Sequence, residues 1–561
     1  MRPVLRRAAL AAACVSALML AACGKHVASN APITWAPADT PYLFANFKST
    51  PQDVRQAWNP NSDGSIQASL EQLGRYADKM DQHDPNVAKV VDAIEAELAD
   101  AQSAQQFADT VGLSQSALFA FYGVGDVPVA RVQLASPDKF KAFWARVEKR
   151  AGITTPTGTV GKQGYWIIGG ANAKVNLLIA IEGDQLVATI APASASEAML
   201  GQLLGTTKPT SNASGRLAGI DSRHGYGDYG SGYVDLPKLF ANALDGKDAT
   251  TSEFVKDVGL GDATSHPACA SEFASLAEQA PLASMGYQSF TAKQLRMSVD
   301  VDLSPSLVGA LTALKQPVPG MDSKSDDSMF DMVLALPLRK WQAFIKDRAK
   351  AAASKSFQCP ALQSLNEFAK TASNPPMQMP PEAESMLGFR LALDKWEIGP
   401  QIAGRMLVAS SNPASLTLKI QQTMPQFALK TIPNDGKPVA FDLPANVQAM
   451  LGGGNQGWIA ASPTAIAAGI GDGEEARVAG ALKAPAGDGD TLMRLHMDGN
   501  AYALTASWFE RFAARLPAES QAQAQQTVEM LKRWSRIVKS QDMNVKLDAK
   551  GLHFEGTVLH Q

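Results

Sequence analysis

One succession of apolar strands and capped helices runs along this 561-residue chain twice, and any fold must accommodate both copies. The first opens at Tyr42-Leu-Phe-Ala-Asn-Phe47, an apolar run suited to a strand, and Ser49-Thr-Pro51 follows as a helix entry. After Asp84-Pro85, residues Val87, Val90, Val91, Ile94 and Leu98 form a stripe at helical spacing. Strands are expected over 117–122 and 127–134. Ser136-Pro137-Asp138 then starts a helix with Phe140, Phe143, Trp144 and Val147 on one face. A hairpin over 175–190 turns at Glu182-Gly-Asp184, and a helix over 196–204 follows. Further on come a strand at Tyr233-Val234, a capped helix from Asp235-Leu-Pro237, a helix near 271–279 and strands over 285–290 and 295–303.

The order then recurs. Met332-Val-Leu-Ala-Leu-Pro337 parallels the opening, 384–393 the middle strand, and Ser411-Asn-Pro413 the helix start. Residues 458–461 and 465–470 match the hairpin, and 474–482 its closing helix. Near the end, Asp548-Ala-Lys-Gly-Leu552 matches Thr291-Ala-Lys-Gln-Leu295. The break at 319–327, Pro-Gly-Met-Asp-Ser-Lys-Ser-Asp-Asp, reads as a linker. Strands joined by hairpins, with helices between them but not in strict alternation, predict an α+β fold. Its two tandem related halves, 37–320 and 329–561, are each expected to be a largely antiparallel sheet with helices packed on it.

The first residues carry an address. Arg2, Arg6 and Arg7 precede an uncharged apolar run over 8–20, which is shorter than the roughly 20 residues a membrane-spanning helix needs. The run closes at Leu20-Ala21-Ala22-Cys23, which resembles the bacterial lipobox. That resemblance implies a signal peptide over 1–22, cleavage after Ala22, a diacylglyceryl thioether on Cys23 and acylation of its amine; a stalk over 23–36 then leads to the body. An ordinary secretory signal with an incidental Cys23 is the alternative. The Arg6-Arg7 pair is followed by Ala8-Ala9-Leu10, which departs from a twin-arginine motif. Gly24 stands where an inner-membrane retention signal resembling that of such lipoproteins has Asp, so the resemblance implies the outer membrane, facing the periplasm. The body, with its Pro37-Ala-Asp-Thr40 opening and its repeated helices and hairpins, is similar to a group of bacterial envelope proteins known only as a domain of unknown function. That likeness brings no catalytic residues with it.

Without its first 22 residues the chain has 539, with 48 basic against 54 acidic side chains and no basic block, so no nucleic-acid partner is expected. Cys14 leaves with the signal and Cys23 is taken by lipid, which leaves Cys269 and Cys359 as one possible disulfide or two separate buried thiols. A bridge would staple the two halves.

No motif for chemistry is strong. Ser136-Pro-Asp-Lys139 has the spacing of a serine–lysine acylating pair, but the same letters make a helix cap. Asn59-Pro-Asn61-Ser-Asp63-Gly64-Ser65-Ile66 alternates oxygens like a calcium loop, yet its twelfth position is Leu70 and Glu71 comes one place late. Gly452-Gly-Gly454-Asn-Gln-Gly457 precedes a strand and does not open a helix, unlike a phosphate-binding loop. Met377 and Met379 offer two thioethers in a Pro-rich stretch, and the seven histidines show no metal-ligand spacing. Tyr226, Tyr229 and Tyr233 among glycines can be a sugar-stacking platform or a Gly-rich loop. The expectation is therefore no catalytic residues, no metal and no cofactor. A lipid-anchored scaffold or binding module in the envelope is expected first, joined to the membrane through Cys23 and to another envelope protein. A carrier of a hydrophobic ligand such as lipid is the alternative, and a hydrolase assembled from distant residues a further one.

Overall fold

The computed structural model describes residues 30–561 except 59–84, 170–172, 259–265, 324–327, 374–379, 397–401, 428, 430, 446–447 and 449–455. It has two compact units: one runs to Val301 and includes Gln358–Ala361, the other comprises Asp302–Phe357 and Leu362–Gln561. The division falls ahead of residue 320, because Val318 and Met321 are buried in the core of the second unit.

The first unit contains β1 (Tyr42–Ala45), α1 (Pro85–Leu98), α2 (Ala104–Val111), β2 (Phe119–Val124), β3 (Val127–Gln133), α3 (Pro137–Ala151), β4 (Thr157–Val160) and β5 (Gln163–Ile168). Then come β6 (Val175–Glu182), β7 (Gln185–Pro192), α4 (Glu197–Leu204), α5 (Ser214–His224), β8 (Ser231–Asp235), α6 (Leu236–Asp245), α7 (Ala249–Val258), α8 (Ala268–Ala277), β9 (Leu282–Phe290) and β10 (Gln294–Asp302). The strands pair in the order β4-β5-β6-β7-β3-β2-β1-β8-β9-β10, antiparallel at each pairing whose register is resolved.

Local chemistry sets the helix starts. Ser136 accepts the Lys139 amide at 3.2 Å with Pro137 in the first turn, Ser196 accepts that of Met199, and Asp235 accepts that of Lys238. Strand alternation then divides the core between the two faces of the sheet. Phe119 and Val132, paired across β2 and β3, pack with the Phe140, Phe143, Trp144 and Val147 stripe of α3 and with α1 and α2. Tyr122 and Val129, paired on the opposite face, pack with Met199, Leu203 and Leu204 of α4.

The expected stalk over 23–36 is corrected in its last part. Pro32–Trp35 form a 3-10 turn, and Ala31, Ile33 and Ala36 are buried in the same core as α4. Four residues of 3-10 helix show no period in sequence, and their burial depends on side chains far along the chain.

The second unit contains α9 (Pro305–Thr312), β11 (Phe330–Ala335), α10 (Leu338–Ser354), α11 (Gln363–Ser373), β12 (Met386–Trp396), β13 (Ile402–Ser410), α12 (Pro413–Thr423) and β14 (Val439–Asp442). After these come β15 (Gln456–Ala461), β16 (Ala465–Ile470), α13 (Glu474–Lys483), β17 (Thr491–Asp498), α14 (Gly499–Ala513), α15 (Ala518–Ile537), β18 (Val538–Leu547) and β19 (Gly551–His560). Its antiparallel order is β14-β15-β16-β13-β12-β11-β17-β18-β19. This is the first unit's β5-β6-β7-β3-β2-β1-β8-β9-β10 strand for strand. Helices separate the first strand from the second in each unit, and the helix after the third strand starts alike, at Ser136-Pro137 and at Asn412-Pro413, where Asn412 accepts the Ser415 amide.

Candidate functional site

The register of the second unit's strands puts unlike chemistry on their two faces. On one, Met332 of β11 stands opposite Leu391 of β12 and Leu495 of β17; Leu391 faces Met406 of β13, and Leu495 faces Met543 of β18. The row Met406–Leu391–Met332–Leu495–Met543 thus crosses five strands. A parallel row, Val408–Phe389–Leu334–Met493–Val545, lies beside it. Every residue of these rows is only half-buried except Met406, which is 52% exposed.

The matching face of the first unit carries 21 buried apolar residues, supplied mostly by α1, α2 and α3. In the second unit the cluster beneath α12 has four among the described residues: Ile432, Ile459, Ala461 and Ile466. The helices explain the difference. Of α10 only Ala349 is buried, and of α12 only Pro413 and Thr417, while Leu418 is exposed. At the far end Tyr502 of α14 donates to Gln541 of β18, which shares the face of Met543. The helices that shield this face in the first unit therefore leave its counterpart partly open, and methionine-rich at that. Unbranched thioethers adapt to ligands of varied shape.

The opposite face is ionic. Asp331 is fully buried; Arg390 Nε and Nη2 donate to its two oxygens at 2.9 Å each, and Arg494 Nη2 donates to Oδ2. The register explains the triad, since both arginines stand opposite Val333, two residues from Asp331 on the same face. Gly320, at φ +96°, lets the loop pass over Arg390: a Cβ there would lie 2.6 Å from the guanidinium.

Beside the triad, Asp394 Oδ2 accepts from Arg405 at 2.5 Å and from Arg477 at 2.6 Å, and Glu474 Oε1 accepts from Arg405 at 3.3 Å. Burial opposes ionisation of Asp394, but the Ser328 hydroxyl and Arg405 outweigh it and hold this carboxyl below its usual range. Burial pushes Glu474 up to about 7 against the pull of Arg405, and nearby Asp394 adds to the rise. Paired carboxyls can serve as acid and base. Glu474, however, is wholly buried and its partners are structural, so the cluster fastens α13 to β12 and β13.

The first unit has a buried His–Asp pair. His224 Nδ1 lies 3.4 Å from Asp300 Oδ1; Tyr226 and Ser298 hydroxyls both donate to Asp300 Oδ2. A nucleophilic relay needs a hydroxyl on the far nitrogen of the imidazole. Among the described residues His224 Nε2 has no hydrogen-bond partner, and the Tyr226 hydroxyl goes to the carboxylate. Burial also pushes the Tyr226 phenol well above its ordinary pKa. Arg131, 1% exposed, is held by the Tyr122 hydroxyl at 3.0 Å, by Gln185 and the Leu204 carbonyl at 3.2 Å each, and by the Trp35 ring 4.3 Å beneath it.

The residues singled out in the sequence fall as follows. Cys269 and Cys359 are joined by a disulfide, with Cα atoms 4.7 Å apart. Glu272 accepts both the Gln358 and Cys359 amides, at 2.8 and 2.9 Å. The Ser136 hydroxyl caps α3, and Lys139 is exposed. Tyr226 and Tyr233 are buried, with the Tyr233 hydroxyl directed at the Thr40 carbonyl, so the three tyrosines present no common stacking face. Cys23 with its lipobox, the calcium-like loop at 59–66, Met377 and Met379, and Gly452–Gly454 lie outside the described residues. Among the described residues no group of His, Cys, Asp or Glu is arranged to hold a metal ion, and no helix is long and apolar enough to cross a membrane.

No family model matches this chain, and no curated protein or solved structure does either.

Proposed function

We propose that this chain is a lipid-anchored, non-catalytic envelope module whose second unit binds a hydrophobic ligand, an acyl chain, along the row Met406–Leu391–Met332–Leu495–Met543. The observation that carries the reading is the half-buried state of that row, set against the filled core on the matching face of the first unit. An apolar strip spanning five antiparallel strands extends for about 20 Å at ordinary strand spacing, the length of a long acyl chain. This favours the carrier over the plain scaffold.

The shared strand order supports a tandem duplication in which one copy kept its helical cover and the other gave it up. The Cys269–Cys359 bond supports an oxidising compartment. With the Leu20-Ala21-Ala22-Cys23 sequence it supports attachment through Cys23 to the periplasmic side of the outer membrane.

Native mass spectrometry of the full chain, purified gently, tests the binding. Lipid at fixed stoichiometry is expected, and Met406→Glu should weaken it about a hundredfold, because a carboxylate carried into an apolar site costs roughly 3 kcal/mol or more. Absence of bound lipid, together with failure to take up a fluorescent fatty acid, would leave the scaffold reading, for which in vivo crosslinking must then yield a protein partner. Turnover of esterase, glycosidase or peptidase substrates would overturn the non-catalytic reading.

A further inference from the structure

We infer that the hairpin of α14 and α15 docks by its tip on an anionic phospholipid surface. Trp508, Phe509 and Phe512 are 59%, 41% and 57% exposed, and Met530 on α15 is 49% exposed. Single exposed apolar side chains are ordinary, but three aromatics within five residues beside a helix turn are a patch. The inner stripe of α14 is occupied elsewhere: Tyr502, Ala506 and Ala513 are buried, and Tyr502 packs on Trp534 of α15 with ring centroids 5.7 Å apart.

Charge selects the occupant. Arg511 and Arg515 are exposed; Arg511 follows Trp508 at three residues and shares its side of the helix with Phe512, and Arg515 lies in the turn just past the helix end. Glu510, the acid beside them, pairs with Lys532 at 3.1 Å. The tip thus joins aromatic rings to two cations. An indole prefers the headgroup level of a bilayer, arginine stems reach phosphates while their methylenes stay in the apolar zone, and an anionic leaflet attracts both guanidiniums. This docking does not require the sheet face to hold a ligand.

The test uses the full chain carrying Phe512→Cys, labelled with an environment-sensitive fluorophore and incorporated into vesicles by detergent removal. The chain without that substitution, labelled in parallel, reports any signal from Cys14 or Cys23. Vesicles of phosphatidylcholine alone are compared with equal parts of phosphatidylcholine and phosphatidylglycerol. The expected result is a blue shift and quenching by brominated lipid in the anionic vesicles, reversed by salt. Arg511→Gln with Arg515→Gln should move the docked–undocked balance about thirtyfold toward undocked, from the usual attraction of two basic residues to an anionic surface. An unchanged spectrum in anionic vesicles overturns the inference. So does an equal shift in neutral vesicles, or a shift in vesicle-free solution accompanied by dimer formation, which would make a second copy the occupant.

Discussion

Replacing Asp331 by Asn keeps nearly the same volume and removes only the charge, so it isolates the worth of the buried triad. Asp331 accepts three hydrogen bonds from two guanidiniums that are themselves almost fully buried. Without the carboxylate both cations remain in a low-dielectric site with an amide whose NH2 group cannot accept from them. Stranding buried charge in this way costs about 3–5 kcal/mol. Amide exchange by mass spectrometry reads this locally: peptides of β11, β12 and β17 should exchange about a hundred- to several-thousandfold faster through unfolding of the second unit. By calorimetry the transition of that unit should fall by roughly 6–20 °C. The combination Arg390→Met, Asp331→Leu and Arg494→Met should recover most of the loss, because apolar residues of like size often replace buried ion clusters without penalty. A loss below about 1 kcal/mol for Asp331→Asn, the range of exposed pairs, would refute the reasoning by showing that water reaches the carboxylate.

Glu474 predicts a pH dependence. A carboxyl that binds its proton more tightly folded than unfolded stabilises the fold fully below its ordinary value of 4.5, and that stability disappears as pH rises through about 7. The second unit should therefore lose stability between pH 4.5 and about 7, and Glu474→Gln should flatten the slope in denaturant titrations. Burial raises Asp126 and Asp221 in the first unit to about 7 as well, so the comparison of variant with parent carries the test. Cys269→Ser with Cys359→Ser opens a closure spanning 90 residues, worth about 4.6 kcal/mol in the chain-entropy model. Denaturant midpoints of the first unit should fall accordingly, and a fall no larger than that of a surface variant would rule this out.

What was legible in the sequence is what is decided within a few residues. Ser136-Pro137, Asn412-Pro413 and Asp235 announce helix starts because the capping oxygen reaches an amide only three positions on. The 175–190 hairpin shows itself through its turn. Strands β4, β5 and β14 are short and lack clean alternation, so the sequence does not announce them, and it singles out neither the longer β13 nor the 3-10 turn at Pro32–Trp35. The candidate site was invisible because its rows join neighbours that lie from 15 (Leu391 and Met406) to 163 (Met332 and Leu495) positions apart in the chain. One signal was present: Asp331, Arg390 and Arg494 each sit between apolar neighbours, in Phe-Asp-Met, Phe-Arg-Leu and Met-Arg-Leu, as inward charges in half-apolar strands do. Openness of the other face is harder still to read. Leu416 and Ile420 of α12, one turn apart, pack on the cluster of Ile432, Ile459 and Ile466, whereas Leu418 two positions from each is exposed on another side of the helix; only the neighbours of a helix decide which of its apolar residues are covered.

The bond between Cys269 and Cys359 has a consequence for how this molecule is made and taken apart. Residues 302–357 are strung between its two ends, so the first unit is not a contiguous stretch of polypeptide. A truncation at Val301 leaves an orphan thiol, and a protease that nicks anywhere in 302–357 produces fragments that stay tied until a reductant is added. Whatever route the chain takes, Cys359 must have been made before the covalent framework of the earlier unit can close.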